Sequence, residues 1–299
     1  MNYTPIAIFG YKRPNQFENL LNTLSENPEA KNSDVYIFID RAKDDQDLVS
    51  NLEVLEISKK NWKFKSKIIV YRNEHFGLRN NIVRGIDFIF ENFEQIIVLE
   101  EDLTLSSTFL NYMNKSLEKY KHINKIWHIS GYNLNLLLNF KNSSHFSTQM
   151  NCWGWATWKN RWEKFDKEFK LKINLQDRKI INKFNFDGYD KGNSIQLLRN
   201  EEKKIETWAI FWYQEIFLNN GLCLNPNKSL VKNNGFDGSG ENKSKSNFYN
   251  VKNLNQNFIK FYPLKLKINK YIIFQIKIKF MIYNLKDIKD YHLKKLLVK

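Results

Sequence analysis

The 299-residue chain has few cysteines, prolines and glycines, and fewer acidic than basic residues. Its two cysteines, Cys152 and Cys223, cannot form a disulfide framework, which favours a reducing compartment. Because 42% of the residues are hydrophobic, the composition excludes disordered, collagen-like and low-complexity chains. No uncharged apolar run reaches the length of a membrane-spanning helix. The N-terminal MNYTPIAIFGYKRP is typical of a first strand and not of a signal peptide.

The positive charge is concentrated at the C-terminus. Residues 258–299 contain eleven lysines and two aspartates, which is +9 of the formal net charge of +15. Tyrosine, phenylalanine and isoleucine residues are interleaved with these lysines, a pattern that favours contact with an anionic membrane surface. Nucleic-acid binding stays open as an alternative, but nucleic acid is not the predicted partner, because no recognised nucleic-acid motif is present. The alternation in LKLKI and IKIKF is equally compatible with a strand on the main sheet, so helix and strand both stay open.

Short apolar runs alternate with segments of helical period over the first hundred residues. Strands are predicted at residues 5–9, 35–39, 67–71, 95–99 and 125–130, and a helix at 108–121. Residues 133–149 are predicted to be loop, and a second aromatic helix follows at 206–221. The order of elements predicts an α/β fold with a mixed, mostly parallel sheet flanked by helices. In such sheets ligands bind at the carboxyl ends of the strands.

The segment VLEEDL, residues 98–103, places three carboxylates directly after a buried apolar strand. Adjacent acids at the ligand-binding edge of a sheet can hold a hard divalent cation, which neutralises a diphosphate. A solvated acidic turn or the N-terminus of a helix would use the same residues. The triplet alone therefore leaves both interpretations open.

Six segments together resemble a known family: IAIFGYKRP, VYIFID, YRNEHFGLRNNI, VLEEDL, CWGWATW and NNGFDGSG. The chain is similar to GT-A fold nucleotide-sugar glycosyltransferases, in particular the N-acetylglucosaminyltransferase I-like group and its bacterial sugar-transferase relatives. The similarity spans about residues 4–245. It implies a nucleotide-sugar-binding half at 1–145 and an acceptor-binding half at 146–255. The basic amphipathic tail at 256–299 lies outside the resemblance.

The resemblance also implies roles for individual residues. Arg13 would contact the nucleotide or its phosphates, and Asp40 would accept a hydrogen bond from a uracil base. His75 would help to hold the nucleotide, and Glu101 would bind the ribose or the donor sugar. Asp102 would ligate Mn²⁺ or Mg²⁺. Each residue also has a structural alternative: a surface cation at a helix start for Arg13, a strand-end cap for Asp40, a packed or exposed loop histidine for His75, and an acidic turn for Glu101 and Asp102.

Arg79 lies at the start of the helix predicted after RNEHFGL. The N-terminus of a helix near the strand ends suits an anion, so Arg79 is a candidate for binding the donor phosphates. No carboxylate stands four residues away to pair with it, since those positions are His75 and Val83. A solvated Arg79 is the alternative.

The tryptophans of CWGWATWKNRW are divided between the site and the core. Aromatic faces stack on sugar rings, and the resemblance would put this segment beside the donor sugar and the acceptor. Trp153, Gly154 and Trp155 are therefore predicted to form a wall of the site. Trp158 and Trp162 are predicted to be core residues.

One position departs from the family pattern. The bacterial relatives usually carry a histidine two residues after FDGSG, where this chain has Asn242. Asparagine is a weaker metal ligand, so either the metal site is looser or the position serves otherwise. No zinc-spaced His/Cys cluster, G-x-S-x-G, Walker A or Rossmann glycine fingerprint is present, which removes most of the case for hydrolase, ATPase and dehydrogenase functions.

The predicted function is metal-dependent, inverting transfer of a sugar from a nucleotide-diphospho-sugar, with UDP as the expected nucleotide. The acceptor would be a hydroxyl of a glycan or lipid-linked glycan, as in bacterial surface polysaccharide synthesis. Glu206, before the second aromatic helix, is the predicted general base, with Glu215, Asp237 and Glu241 as alternatives. A carboxylate that merely starts a helix would also explain Glu206.

The expected location is the cytoplasm, at the inner face of the membrane, through the basic tail. Two other classes of function stay open. The protein could be a non-catalytic sugar-nucleotide-binding protein, or a basic membrane-binding module in which the acids are structural.

Overall fold

The computed structural model of the protein describes residues 3–134, 136, 142–235 and 248–297. The strands are β1 Ile6–Gly10, β2 Asp34–Ile39, β3 Ser66–Tyr71, β4 Gln95–Glu100, β5 Leu103–Leu105, β6 Ile126–Ser130, β7 Ser144–Ser147, β8 Trp155–Trp158, β9 Leu222–Pro226 and β10 Val231–Asn233. The helices are α1 Pro14–Ser25, α2 Asp45–Lys59, α3 Gly77–Phe90, α4 Phe109–Tyr120, α5 Lys159–Trp162, α6 Arg178–Phe184, α7 Gly192–Glu201, α8 Ala209–Leu218 and α9 Lys270–Leu297.

Eight strands form one sheet in the order β3-β2-β1-β4-β8-β6-β9-β7. The strands β1 to β4 are mutually parallel, β6 and β9 run the same way, and β8 and β7 run antiparallel to their neighbours. The predicted fold class, a mostly parallel α/β sheet flanked by helices, is confirmed. Strands from both predicted halves lie in this sheet, because β8 is inserted between β4 and β6.

The sheet separates two hydrophobic cores, as the alternation of side chains along a strand requires. In β1, Ile6 and Ile8 pack on the side that holds α1, whereas Ala7 and Phe9 pack on the side that holds α3. All four side chains are at most 2% exposed. Burying a large apolar side chain contributes about 1.5–3 kcal/mol, so these two layers hold the strand ends in place.

The segment predicted as a loop at 133–149 contains the edge strand β7, so that prediction is wrong for residues 144–147. The strand is polar in sequence, but Phe146 is fully buried and His145 is 3% exposed. The side chain of Asn227, just after β9, bonds to both His145 and Ser143. Tertiary hydrogen bonds therefore stabilise a strand that local composition does not predict.

The strands β5 and β10 form a second, two-stranded antiparallel sheet in which Leu103 pairs with Asn233. Because β5 directly follows the VLEED segment, this pairing brings the start of NNGFDGSG to the acidic residues. The remainder of that motif, with Asp237, Glu241 and Asn242, lies outside the described residues.

The IKIKF part of the C-terminal segment is helical and belongs to α9. Ile272, Ile276 and Phe280, one turn apart, are buried against a small cluster that includes Tyr132 and Phe186. Within the described residues, none of the helices combines the length and the apolar character needed to cross a bilayer.

Candidate functional site

The carboxyl ends of β1 and β4 are neighbours in the sheet and carry the predicted charged residues. Arg13 follows β1, and Pro14 at the first position of α1 fixes where the helix starts. Glu101 and Asp102 follow β4. Chain order reverses between these two strands, since β2 and β3 lie on one side of β1 and β4 on the other. This is the topological switch point, where open α/β sheets bind ligands.

Arg13 forms ion pairs with both acids at this point. Its Nη1 atom lies 3.1 Å from Asp102 Oδ2, and its Nε atom lies 3.8 Å from Glu101 Oε1. The side chains of all three residues are less than one-fifth exposed. A buried charge is tolerated when it is paired and hydrogen-bonded, so each of the three depends on the others.

Glu101 is also held by the backbone, because the N–H of Tyr11 donates to its Oε2 atom at 2.5 Å. Burial raises the pKa of Glu101 to about 7, against the opposing effects of this N–H and of Arg13. Asp102 has a different surrounding. A Cβ atom added to Gly235 would lie 2.3 Å from Asp102 Oδ2, so only glycine allows the chain to approach the carboxylate this closely.

The residues at the switch point between β1 and β4 could hold a divalent cation in only one arrangement. Carboxylate oxygens are the ligands that Mg²⁺ prefers, and Asp102 offers them from a partly exposed position. In the part of the chain that the structure describes, no group of three or more His, Cys, Asp or Glu side chains could hold a metal ion. Asp102 would therefore be a single protein ligand, with the other positions filled by ligand and water oxygens.

Asp40, at the end of β2, is 3% exposed and fastens the loop before α3. Its Oδ1 atom accepts hydrogen bonds from the N–H groups of Arg41 at 3.1 Å and Phe76 at 2.9 Å. Its Oδ2 atom accepts from the N–H of Gly77 at 2.9 Å and lies 3.1 Å from His75 Nδ1. These contacts match the acceptor capacity of a carboxylate. The strand-end cap, one of the two roles that the sequence left open, is the one that this geometry favours.

His75 sits on the rim of the same strand ends, with its side chain 31% exposed. Its Nδ1 atom lies 2.8 Å from the carbonyl oxygen of Arg41, and its ring is 5.4 Å from that of Tyr11. The phenol of Tyr11 donates to Asp47 at 2.6 Å. His75 therefore faces the neighbourhood of the charged residues but is not part of the ion-paired group.

Arg79 lies in the first turn of α3 and is held by the second half of the chain. Its Nη2 atom donates to Asn200 Oδ1 at 2.9 Å, and its guanidinium lies 4.5 Å from the ring centre of Phe169. Burial lowers the pKa of Arg79, while the charge of Glu206 opposes that effect. The fully solvated Arg79 that the sequence left open is not observed.

Glu206 is exposed and lies just before α8. The N–H of the next residue, Thr207, donates to the same Asn200 Oδ1 atom at 3.0 Å that Arg79 contacts. Glu206 is therefore grouped with Arg79, on the α3 side of the strand ends, and not with Arg13 and Asp102.

The predicted aromatic wall is only in part at the surface. Trp155 is fully buried. Its ring stacks against the rings of His128 and Trp208, with ring centres 5.1 Å and 5.3 Å away. The prediction that Trp155 lines the site is wrong, because its ring has no exposed face for a sugar. Trp158 and Trp162 are buried core residues, as predicted.

Trp153 and Gly154 lie closer to the strand edge. Trp153 is partly buried, and its ring meets those of Tyr132 at 4.5 Å and Tyr249 at 5.6 Å edge to face. Gly154 has φ +59°, a conformation that favours glycine, and its carbonyl accepts from Gly131 N at 2.7 Å.

Three residues of this site were not predicted. Tyr11 supplies the N–H bound by Glu101. Asn51 of α2 is fully buried and donates to the carbonyl oxygens of Tyr11 at 2.6 Å and Asp40 at 2.8 Å. Gly235 makes room for Asp102. The sequence offers one signal for these residues, which is the polar Asn51 inside a segment of helical pattern.

No family model matches the chain, and no curated protein matches it. Among solved structures it is similar to the mannosyltransferase PcManGT from Pyrobaculum calidifontis in complex with GDP-Man and Mn²⁺, at 9% identity over 72% of this chain and 70% of that one, with a TM-score of 0.41. It is also similar to a cytidylyltransferase from Leptospira borgpetersenii, at 15% identity over 66% and 74% of the two chains, with a TM-score of 0.37. At these values the similarities concern the fold alone.

Proposed function

We propose that this protein is a GT-A type glycosyltransferase that uses a nucleotide-diphospho-sugar, with a UDP-sugar as the expected donor. The observation that carries the proposal is the position of Arg13, Glu101 and Asp102 at the switch point between β1 and β4. A nucleotide diphosphate needs a cationic fork for its oxygens, and a guanidinium presents its donors in that geometry. The narrower likeness to the N-acetylglucosaminyltransferase I-like group stays a prediction.

Each residue has a distinct task in this proposal. Arg13 binds the diphosphate, and Glu101 orients Arg13 and contacts the ribose or donor sugar. Asp102 would hold a Mn²⁺ or Mg²⁺ ion, which supplies positive charge to the departing diphosphate. Asp40 acts through the backbone by holding the loop that carries His75, and a direct bond to uracil would have to replace one of its present contacts.

The reaction proposed is an inverting displacement. A hydroxyl of a glycan or lipid-linked glycan attacks the anomeric carbon, the bond from that carbon to the diphosphate breaks, and a glycosidic bond forms. Glu206 takes the proton of the attacking hydroxyl. Its exposed position beside Arg79 leaves it accessible to an acceptor that arrives from solvent.

Calorimetry with UDP, with and without Mn²⁺, tests the proposal. We expect binding that depends on the metal in the native protein and is lost in Asp102→Ala. Glu118→Ala is the matched control, because Glu118 is an acid on the surface of α4 that pairs only with Lys121 among the contacts described. Unchanged Mn²⁺-dependent binding in Asp102→Ala would contradict the assignment.

The same experiment separates the other two classes of function. A basic membrane-binding module would bind neither UDP nor Mn²⁺ at this edge. A non-catalytic sugar-nucleotide-binding protein would bind UDP but would not hydrolyse or transfer any donor in a panel of nucleotide sugars.

We also propose that α9 and the segment before it rest on an anionic membrane surface at the inner face of the membrane. In the described part of the chain 18 large apolar side chains are exposed, and ten of them lie between residues 258 and 285. Along α9 the exposed ones recur at helical spacing, at Tyr271, Phe274, Met281, Ile282 and Leu285. The helix thus has a second apolar face, besides the one that Ile272, Ile276 and Phe280 bury.

The charge along this segment of the sequence is of one sign, although Lys277 pairs with Asp187 of another segment. The sequence has no Asp or Glu between residues 242 and 286, whereas lysines are interleaved throughout. Each basic residue near an anionic surface contributes about 1 kcal/mol. Deleting the helix would uncover its buried face, so substitutions are the better test.

We expect Phe274→Ser combined with Leu285→Ser to reduce sedimentation with phosphatidylglycerol vesicles. The control is Val49→Ser combined with Leu52→Ser, which removes two exposed apolar residues from α2. Equal vesicle binding by the α9 variant and the native protein would refute this contact.

A further inference from the structure

A cavity of about 550 Å³ opens beside the strand β7, at the far end of the sheet from β1. It is lined by Asn142, Ser143, Ser144, Asn227, Phe261, Asn269 and Ile272. Pockets that bind small molecules have volumes of about 300–1,000 Å³. The cavity is therefore large enough for an organic ligand.

The cavity lies on the same edge of the sheet as the charged residues. Asn227 follows the carboxyl end of β9, which runs in the direction of β1 to β4, and Ser144 begins the antiparallel β7. Three strand spacings separate β4 from β9 and four separate it from β7, which amounts to about 14–19 Å at 4.8 Å each. A ligand of several sugar units is long enough to span this distance.

The lining is polar but carries no charge. Its polar residues are three asparagines and two serines, and its walls also contain the aromatic ring of Phe261, which is 69% exposed. A phosphate or carboxylate would find no cation among these lining residues. Amides, hydroxyls and an exposed ring instead suit a ligand that has many neutral hydroxyl groups and an apolar face, such as a sugar ring.

Hydrogen bonds within the protein fix part of this lining. Asn227 Oδ1 lies 2.6 Å from His145 Nδ1, and its Nδ2 atom donates to Ser143 Oγ at 2.7 Å. Asn269 Oδ1 accepts from the N–H groups of Tyr271 and Ile272 at the start of α9. The walls of the cavity are therefore held in place before any ligand arrives.

Another part of the lining has unused capacity. Asn142 Oδ1 is buried and has no hydrogen-bond partner among the described residues. A buried polar atom without a partner costs about 1–3 kcal/mol, so a native structure that contains one calls for an explanation. A ligand hydroxyl that donates to Asn142 would provide that explanation, provided that the side chain turns its oxygen toward the cavity when the ligand binds.

We propose that this cavity binds a neutral sugar unit of the acceptor glycan, several units away from the one that reacts. Phe261 would stack on the sugar, and Asn142 would accept a hydrogen bond from one of its hydroxyl groups. That the bound sugar belongs to an acceptor glycan rests on the proposed function, whereas the sugar site itself rests on the cavity. The position beside the exposed face of α9 also suits a glycan that is carried on a lipid.

Saturation-transfer NMR with a panel of neutral trisaccharides, namely maltotriose, cellotriose and chitotriose, tests the proposal. We expect at least one trisaccharide to bind, and its affinity to fall at least tenfold in Phe261→Ala and in Asn142→Ala. Phe258→Ala is the matched control, because Phe258 is 49% exposed on the same segment but does not line the cavity. Each variant should unfold at the temperature of the native protein.

The outcomes separate this proposal from the proposed function. Trisaccharide binding that is unaffected by both cavity variants, or no binding by any of the three sugars, would overturn the sugar site. If UDP fails to bind while a trisaccharide binds and responds to both variants, the sugar site stands and the glycosyltransferase proposal fails.

Discussion

The two ends of the strand edge differ in how they are built. At β1 and β4, a few charged residues lie directly after the strands and satisfy one another in ion pairs, as Arg13 does with Glu101 and Asp102. At β7 and β9, neutral amides such as Asn142 and Asn227 come from separate segments, and Asn227 is held by hydrogen bonds to His145 and Ser143. The charged end suits an ionic ligand and the neutral end suits a polyhydroxylated one.

The two ends also differ in the free energy that a substitution costs. Removing one member of a buried ion pair leaves the other unpaired, which costs about 3–5 kcal/mol. Removing one hydrogen bond between neutral groups costs about 1 kcal/mol. We therefore expect substitutions at the charged end to act on the whole site and those at the neutral end to act locally.

The largest effect is expected for Glu206→Gln, which would separate the proposed chemistry at Glu206 from donor binding at the charged end. The amide keeps the size of the side chain but cannot take a proton, so transfer should fall by about a hundredfold or more. Donor affinity should be nearly unchanged. Donor turnover and UDP calorimetry would measure the two quantities, with Glu201→Gln, an exposed acid of α7, as the control.

Near-normal transfer by Glu206→Gln would move the base to Glu215 or Asp237. Glu215 is the weaker of these, because it is buried and its Oε1 atom lies 2.5 Å from Lys172 Nζ.

Asp40→Asn should lower the free energy of unfolding by about 1–3 kcal/mol. An amide has one acceptor oxygen, so its NH₂ group would face an N–H of Phe76 or Gly77 that now donates to the carboxylate. Urea denaturation would measure the change, with the exposed Asp45→Asn in α2 as the control. Equal stability of Asp40→Asn and the native protein would mean that the carboxylate does not hold this loop.

Gly235→Ala tests the approach of β10 to the acidic residues. The added Cβ would lie 2.3 Å from Asp102 Oδ2 and displace it, so Mn²⁺-dependent UDP affinity should fall by about tenfold, or 1.4 kcal/mol. Gly192→Ala is the control, since its Cβ meets only Asp190 Oδ1, at 3.1 Å. The same affinity in both variants would show that Asp102 tolerates the displacement.

The smallest expected effect is the change in stability at acid pH that comes from two buried histidines, one of which, His145, bonds to Asn227 at the neutral end. Burial lowers the pKa of His145 to about 4 and that of His128 to about 3, from the ordinary value of 6.5. Between these values each histidine binds more protons in the unfolded chain than in the folded one, so each lowers the stability as the pH falls below 6.5, whereas Glu101, whose pKa burial raises to about 7, acts in the opposite direction. We expect each histidine to contribute a loss of about 1 kcal/mol between pH 7.5 and 5.5.

Urea denaturation of the native protein and of His145→Gln at the two pH values would isolate the contribution of His145, because the variant should lose about 1 kcal/mol less than the native protein. A pH dependence that is the same in His145→Gln and in the native protein would contradict a buried, neutral His145.

The charged end was largely predictable from the sequence, and the neutral end was not. Arg13, Glu101 and Asp102 each follow a strand within a few residues, so strand prediction alone puts them at one edge. The hydrogen-bond donors to Asp40 are backbone N–H groups of loops, and these cannot be predicted from residue type because nearly every residue has one. The cavity residues 142–144, 227, 261 and 269 are brought together only by tertiary structure, and no local pattern links them.

Trp155 illustrates the opposite failure. The motif CWGWATW predicts that Trp153, Gly154 and Trp155 form one wall of the site, but a strand points successive side chains to opposite faces. Trp155 starts β8, which lies between β4 and β6 in the middle of the sheet, and its side chain is covered by Trp208. A local motif could not reveal that this segment is a central strand.

The pairing of β5 with β10 has a consequence for how the protein is made. Asn234 donates to Thr104 across 130 positions of the chain, and its N–H bonds to the carbonyl oxygen of Asp102. A ribosome delivers the N-terminal part first. The strands β1 to β4 are therefore synthesised well before the segment that contacts Asp102, whose neighbours Asn234 and Gly235 emerge later. A translation product that ends before residue 234 would therefore lack the contacts that Asn234 and Gly235 make with Asp102.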